Sequence, residues 1–340
     1  MRVGLNPEKD KELEKPDYMH HVVIPVHIPH FQDYYKDSFR IFKICLDSLC
    51  QTVDDKTFIS IINNGSCIEV KKFLEKCLDK GVIHELINTV NIGKLNAILK
   101  GLTGYDVPLV TVADSDVFFC QGWQEETGKV FNAFPKAGTV GLVPQFNMFS
   151  NYCTNTIFDN ILNRNLKFMK VADPEDMWKF YKSIGWNINK DHFYFDSILC
   201  IENNGLKACI GSGHFVATYR KELFKNIIRY LPFRLGGTSE KYLDAAAMKH
   251  GLWKLTTFNN YAYHMGNVWE DWMQSDNRRV HEPSPVIPEK ISFNEESRFQ
   301  YFLKNKLFKK ILRLYLINRL FLHYCRLPKR LMKKYPRIYY

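Results

Sequence analysis

The chain has 340 residues, 46% of them hydrophobic and 24% charged, with 47 Lys+Arg against 36 Asp+Glu. That composition excludes wholesale disorder and provides ample core for one large domain or two small ones. The net +11 is confined to one end: residues 301–340 hold 12 Lys+Arg and no acid, leaving 35 basic and 36 acidic groups in residues 1–300. A nucleic-acid binder needs basic groups spread along a groove or face, so a near-neutral body with a basic tail argues against that class.

Residues 1–17 read as a flexible lead, polar and without the apolar core of a secretory signal. HHVVIPVHI (20–28) is a β-branched run with the pattern of a buried strand. Residues 36–50 place Phe39, Phe42, Leu46 and Leu49 on one helical face. FISIINNGS (58–66) predicts a second strand stopping in a turn, and residues 68–81 an amphipathic helix closed by Gly81. A strand over 82–90, a helix over 93–102 and an apolar strand over 107–119 follow. Successive β-α steps predict a mostly parallel sheet with helices on both faces, and ligands bind beyond the carboxyl ends of such strands. The nine cysteines are odd in number, lack C-x-x-C spacing and sit in apolar runs such as ICLDSLC (44–50). They read as reduced core thiols of a cytosolic protein. No run approaches the roughly 18 uncharged apolar residues that a spanning helix needs.

Asp114-Ser115-Asp116 is the sharpest chemical feature. In an extended segment residues i and i+2 point the same way, so both carboxylates can face one hard cation, with diphosphate oxygens and water completing its shell. A solvated strand-end turn is the plain alternative. The surroundings carry more: VVIPVHI, IINNGS, NIGKLNAILKGL, VADSDVFF and QGW follow one another in an order and spacing that resemble the nucleotide-binding half of GT-A-fold, family 2-like glycosyltransferases. The resemblance covers about residues 20–270. It implies a Rossmann-like α/β fold in which Pro25, Asn63, Lys94 and Asp114 line the sugar-nucleotide site, and Asp114 and Asp116 hold Mg²⁺ or Mn²⁺. Asn63 stands where the family usually has Asp; its amide oxygen can still accept from a base N–H. Trp123 is expected to pack.

In the second half, GSGHFVATYR (211–220) resembles the family's Gly-rich turn beside the donor sugar. TSEKYLDAAAMKHGLWKLTT (238–257) resembles its acid-bearing helix. Glu240 and Asp244 stand i, i+4, hence on one helix face; the resemblance makes Glu240 the general base, with Asp244 the alternative one turn on. The resemblance also offers His264 as a late metal ligand. Trp269 and Trp272 are candidates to stack on an acceptor sugar, although aromatic pairs are more often core.

Within the tail, 304–322 reads as one basic amphipathic helix. Lys306, Lys309, Lys310 and Arg313 share one face; Leu307, Ile311, Leu314, Tyr315 and Leu322 share the other. Such a helix suits an anionic membrane surface; packing on its own domain and a nucleic-acid-binding tail are the alternatives. The expected organisation is therefore a lead (1–17), a GT-A domain (18–275), and a linker with the basic helical region (276–340). The expected activity is metal-dependent, inverting sugar transfer from a nucleotide-diphosphate donor to a glycan or lipid-linked acceptor at the cytoplasmic face of a membrane. A sugar nucleotidyltransferase would want a glycine-rich phosphate loop where PVHIPHF (25–31) stands. A non-catalytic membrane scaffold of the same fold would not need Asp114, Asp116 and Glu240 together.

Overall fold

The computed structural model describes residues 4–12, 17–225, 230–236, 239–274 and 296–335. β1 (His20–Val26), α1 (Ser38–Cys50), β2 (Thr57–Asn64), α2 (Ile68–Asp79), β3 (Glu85–Thr89), α3 (Lys94–Gly101) and β4 (Leu109–Ala113) follow the expected alternation. The predicted strand over 107–119 divides. Beyond Ala113 the Asp114 amide donates to Phe215 O at 2.8 Å, and Val117–Phe119 forms β5 in a separate two-stranded sheet.

The chain continues through α4 (Trp123–Ala133), β6 (Ala137–Gly141), α5 (Thr154–Asn160), β7 (Lys167–Lys170), α6 (Pro174–Ser183), β8 (Ser197–Asn203), β9 (Leu206–Ile210) and β10 (Val216–Arg220). Two four-residue helices, α7 (Lys241–Asp244) and α8 (Ala246–Lys249), precede β11 (Trp253–Thr257) and β12 (Ala262–His264), where one helix was expected. Among the described residues the main sheet has ten strands in the order β3-β2-β1-β4-β10-β6-β11-β9-β8-β7. Following the pairings, β1, β2, β3, β4, β6, β8 and β11 run one way and β7, β9 and β10 the other. This is the mostly parallel sheet flanked by helices that the sequence predicts.

Strand alternation explains the two cores. Val22, Ile24 and Val26 of β1 face α1 and α2, whereas Val23 packs with α3 and with Leu243 and Ala247. Pro25 is tolerated because β4 pairs with β1 only as far as Val23. Trp123 is fully buried and donates to Thr52 Oγ1 at 3.2 Å, a packing role. All nine cysteines are free.

The tail departs from one amphipathic helix. It comprises α9 (Arg298–Phe302), a π-helical turn (Leu303–Leu307), α10 (Phe308–Arg313), α11 (Tyr315–Tyr324) and α12 (Lys329–Met332), with Leu314 extended between α10 and α11. Leu312, Phe321, Leu322, Cys325, Leu327, Leu331 and Tyr335 join the main core. Phe168 N donates to Cys325 O at 2.7 Å, and Tyr335 Oη to Ser197 O at 3.1 Å. Leu322, expected on the outer apolar face, is buried, and Lys304 pairs with Asp159 at 2.7 Å and Glu296 at 2.5 Å. The expected linker at 276–295 lies outside the described residues.

Candidate functional site

The carboxyl ends of β1, β2 and β4 open on a cleft of about 390 Å³. Pro25, Lys94, Asp114 and Asp116 line it, as does a set of side chains that sequence reasoning did not single out: His27, Tyr34, Tyr35, Asn64, Asn91 and Arg234. Lys94 begins α3 directly after Gly93, whose φ of +89° and close approach to Phe233 O leave no room for a Cβ. The Lys94 amide donates to Arg234 O at 2.9 Å, which seats the 230–236 segment over the start of α3.

Asn63 is not a cleft residue. Its amide donates to Asn88 Oδ1 at 2.8 Å and its oxygen accepts from the Ser66 amide at 3.0 Å. The neighbouring Asn64 lines the cleft, and its oxygen accepts from the Ile92 amide at 2.9 Å. Successive strand residues face opposite sides, so a one-residue offset changes which Asn meets a ligand. His27 Nδ1 meets Asn64 O at 2.9 Å, and Asn91 Nδ2 meets His27 Nε2 at 3.2 Å, a polar wall with the chemistry to meet a nucleobase or ribose.

The cleft also carries charged groups. Lys94 Nζ lies 2.5 Å from Asp114 Oδ1. Burial works against the Lys94 ammonium, but Asp114, with Asp116 and Glu240 behind it, outweighs burial and raises its pKa above the ordinary lysine value. Asp116 Oδ2 lies 3.4 Å from His264 Nε2, while Asp116 Oδ1 is buried without a hydrogen-bond partner. Burial raises the Asp116 pKa, opposed by His264. The imidazole is fixed from behind by Ser183 Oγ, 2.9 Å from His264 Nδ1.

No group of three His, Cys, Asp or Glu side chains among the described residues is arranged to hold an ion. The donor set nevertheless fits Mg²⁺ or Mn²⁺ in part. The unpartnered Asp116 oxygen and the His264 nitrogen beside it provide two ligands of suitable type, and a bound diphosphate would supply oxygens. Asp114 is committed to Lys94 as the structure stands.

Glu240 precedes α7 and lies outside the cleft lining. Glu240 and Asp244 converge on a residue that sequence reasoning passed over: His214 Nε2 is 3.5 Å from Glu240 Oε2, and Nδ1 is 3.3 Å from Asp244 Oδ2. The other Asp244 oxygen takes the buried Lys254 ammonium at 2.9 Å. Burial alone would raise the Asp244 pKa, but the His214 hydrogen bond and Lys254 hold it below the usual carboxylate range. Trp269 stacks under the Arg40 guanidinium, 3.6 Å from its ring centre, and Trp272 donates to Glu270 Oε2 at 2.9 Å. Both have partners within the chain.

No protein-family model and no curated protein matches the sequence. Among solved structures, the chain is similar to S. aureus TarS 1-349 in complex with UDP-GlcNAc, at TM-score 0.45 and 12% identity, over 76% of this chain and 61% of that one. It is similar to TarS 1-349 alone at TM-score 0.44 and 12% identity, over 73% of this chain and 60% of that one. A third is the mannosyltransferase PcManGT from Pyrobaculum calidifontis in complex with GDP-Man and Mn²⁺, at TM-score 0.40 and 14% identity, over 72% and 56%. The chain thus matches less than two thirds of each of these structures. Likeness at these scores carries no functional argument, and the functional conclusion rests on the site.

Proposed function

We propose that the protein is a glycosyltransferase that moves a sugar from a nucleotide-diphosphate donor to a hydroxyl of a glycan or lipid-linked acceptor. The observation that carries this is that Lys94, Asp114 and Asp116, with His264 beside Asp116, share one cleft at the carboxyl ends of β1, β2 and β4 with His27, Asn64 and Asn91. The polar groups suit a nucleoside and the charged ones a diphosphate with its counter-ion. Asp116 and His264 would hold Mg²⁺ or Mn²⁺, with Asp114 nearby, and the ion supplies Lewis-acid stabilisation of the departing nucleotide. Lys94 would turn from Asp114 to a phosphate oxygen. Glu240 would take the acceptor hydroxyl proton as that oxygen attacks the anomeric carbon, and a single displacement would invert the carbon. Asp244 is the poorer base because Lys254 and His214 occupy its oxygens.

Glu240→Gln keeps shape and removes basicity, so Mn²⁺-dependent hydrolysis across a panel of UDP- and GDP-sugars is expected to fall by about 10²–10⁴-fold, with donor binding intact. A wild-type rate in this variant would remove Glu240 from the mechanism. Absence of turnover in the wild type across the whole panel, with nucleotide binding present, would favour the scaffold reading.

The proposal extends to the cytoplasmic face of an anionic membrane, now through specific surface groups. Although the tail is anchored in the core, Leu314, Tyr315, Leu316 and Leu320 remain exposed beside the exposed Lys306, Lys310 and Arg313. No helix among the described residues is long and apolar enough to cross a membrane. Each basic group near an anionic bilayer contributes on the order of 1 kcal/mol, and salt weakens the attraction. Leu316 and Leu320 are 73% and 63% exposed, so Leu316→Glu with Leu320→Glu leaves the core intact. The wild type is expected to sediment with phosphatidylglycerol-containing vesicles, less so as salt rises, and the double variant is not. Equal recovery with purely phosphatidylcholine vesicles would end the assignment.

A further inference from the structure

A chain of charge, buried at its Lys254 end, runs behind Glu240. Lys254 Nζ sits 2.9 Å from Asp244 Oδ1, Asp244 Oδ2 sits 3.3 Å from His214 Nδ1, and His214 Nε2 sits 3.5 Å from Glu240 Oε2. The links fix one another's direction. An ammonium only donates, so it keeps Asp244 ionised; a carboxylate only accepts, so Nδ1 must carry a hydrogen. In the neutral imidazole Nε2 then carries the lone pair, 3.5 Å from Glu240 Oε2. Two acceptors cannot bond, so a hydrogen bond between Nε2 and Glu240 requires one proton shared between them.

The turn that carries His214 is held rigidly. Gly211 N donates to Lys254 O at 2.8 Å, Gly211 O accepts from Thr256 Oγ1 at 2.5 Å, and a Cβ at Gly211 would lie 2.4 Å from the Met148 backbone. The next residue, Phe215, accepts the Asp114 amide at 2.8 Å. The same turn therefore sets both the group behind Glu240 and the backbone of the acidic motif.

We propose that His214 is the second station for the proton that Glu240 removes from the acceptor hydroxyl. This rests on Glu240 acting as the base. The acceptor O–H bond breaks as its oxygen bonds the anomeric carbon, and the proton goes to Glu240. It then passes to His214 Nε2, which restores the Glu240 carboxylate and leaves an imidazolium between two carboxylates. His214 acts through Glu240 and is a positioning residue; Asp244 and Lys254 hold its orientation. Of the groups facing His214, Asp244 and Glu240 favour its charge and Lys94 on α3 opposes it, while Lys254 on β11 acts through Asp244. Burial also opposes the charge, yet the Asp244 hydrogen bond outweighs it and the pKa lies above 6.5. A proton already on His214 blocks the transfer, so activity should rise with pH through its titration.

The test uses the full chain with isotope-labelled histidine, followed by NMR across pH. Asp244→Asn and Glu240→Gln are each expected to lower the His214 titration midpoint; an unmoved midpoint in Glu240→Gln overturns the relay without reference to turnover. In hydrolysis of the UDP- and GDP-sugar panel with Mn²⁺, His214→Gln is expected to lower kcat about tenfold or more, leave the donor KM unchanged and abolish the rise with pH. An equal fall at every pH, with the rise retained, marks a merely structural residue and overturns the relay. An inactive Glu240→Gln beside an unaltered His214→Gln rejects the relay alone. A fully active Glu240→Gln rejects the base assignment itself.

Discussion

Asp116→Ala is expected to abolish the Mn²⁺ dependence of nucleotide binding and to lower turnover about 10³-fold or more, while the fold survives. The magnitude follows from the several kcal/mol that Lewis-acid stabilisation of a leaving group supplies, at 1.36 kcal/mol per tenfold. One Asp116 oxygen is buried without a partner, although the side chain as a whole is 27% accessible. That oxygen lacks a hydrogen-bond partner, so deleting the side chain removes a local cost more than a structural support. Asp114→Ala should have a smaller binding effect, because it releases Lys94 to meet phosphate while removing one acid from the cleft. Calorimetry of UDP and GDP with and without Mn²⁺ decides the point independently of turnover. The same Mn²⁺-dependent affinity in Asp116→Ala as in the wild type would show that the cation, if any, is held elsewhere.

What could be read from the sequence follows from how local each feature is. The run from β1 to β4 is written in short-range patterns, a buried strand period, amphipathic helices and turn residues, and its elements appear close to the expected positions. Lys94 and Asp114 meet because α3 begins and β4 ends at the same edge of the sheet. Register was harder. Asn63 and Asn64 are chemically identical, and only the direction of the β2 pleat decides which reaches the cleft. His214 was illegible because its partners lie on other elements, at Asp244 and Glu240, and no spacing rule connects them. The 239–250 region breaks at Ala245 for reasons that periodicity does not carry, yet the Asp244 amide still bonds Glu240 O at 3.1 Å, which keeps both carboxylates on His214. The tail shows the deepest limit. An amphipathic pattern states that one face is apolar and says nothing about whether lipid or the protein's own core covers it.

That ambiguity has a large experimental consequence. The sequence alone suggests that a chain ending near Glu296 would stay folded and bind sugar nucleotide, because the nucleotide motifs all lie before residue 270. The structure reverses this expectation: such a truncation should fail to fold cooperatively. It removes Leu312, Phe321, Leu322, Leu327, Leu331 and Tyr335 from the main core and exposes the apolar residues they cover. Tyr335 alone packs its ring 5.1 Å from Phe146 and 5.3 Å from Phe168, centre to centre, and caps Ser197 O at the sheet's far end. Losing one large buried side chain costs about 2–5 kcal/mol, and whole-domain stability is only about 5–15 kcal/mol. Six such losses come to about 12–30 kcal/mol, as large as that margin or larger. Tyr335→Ala provides the graded version, expected to lower the urea midpoint by a stability change of about 3–5 kcal/mol without altering vesicle binding, since Tyr335 is buried and the exposed Leu316 and Leu320 are untouched. Urea unfolding of the wild type, Tyr335→Ala and the truncated chain, followed by near-ultraviolet circular dichroism, reads all three. A truncated chain with a wild-type midpoint would mean that the tail is an appendage, and the membrane would then become the better candidate to cover its apolar face.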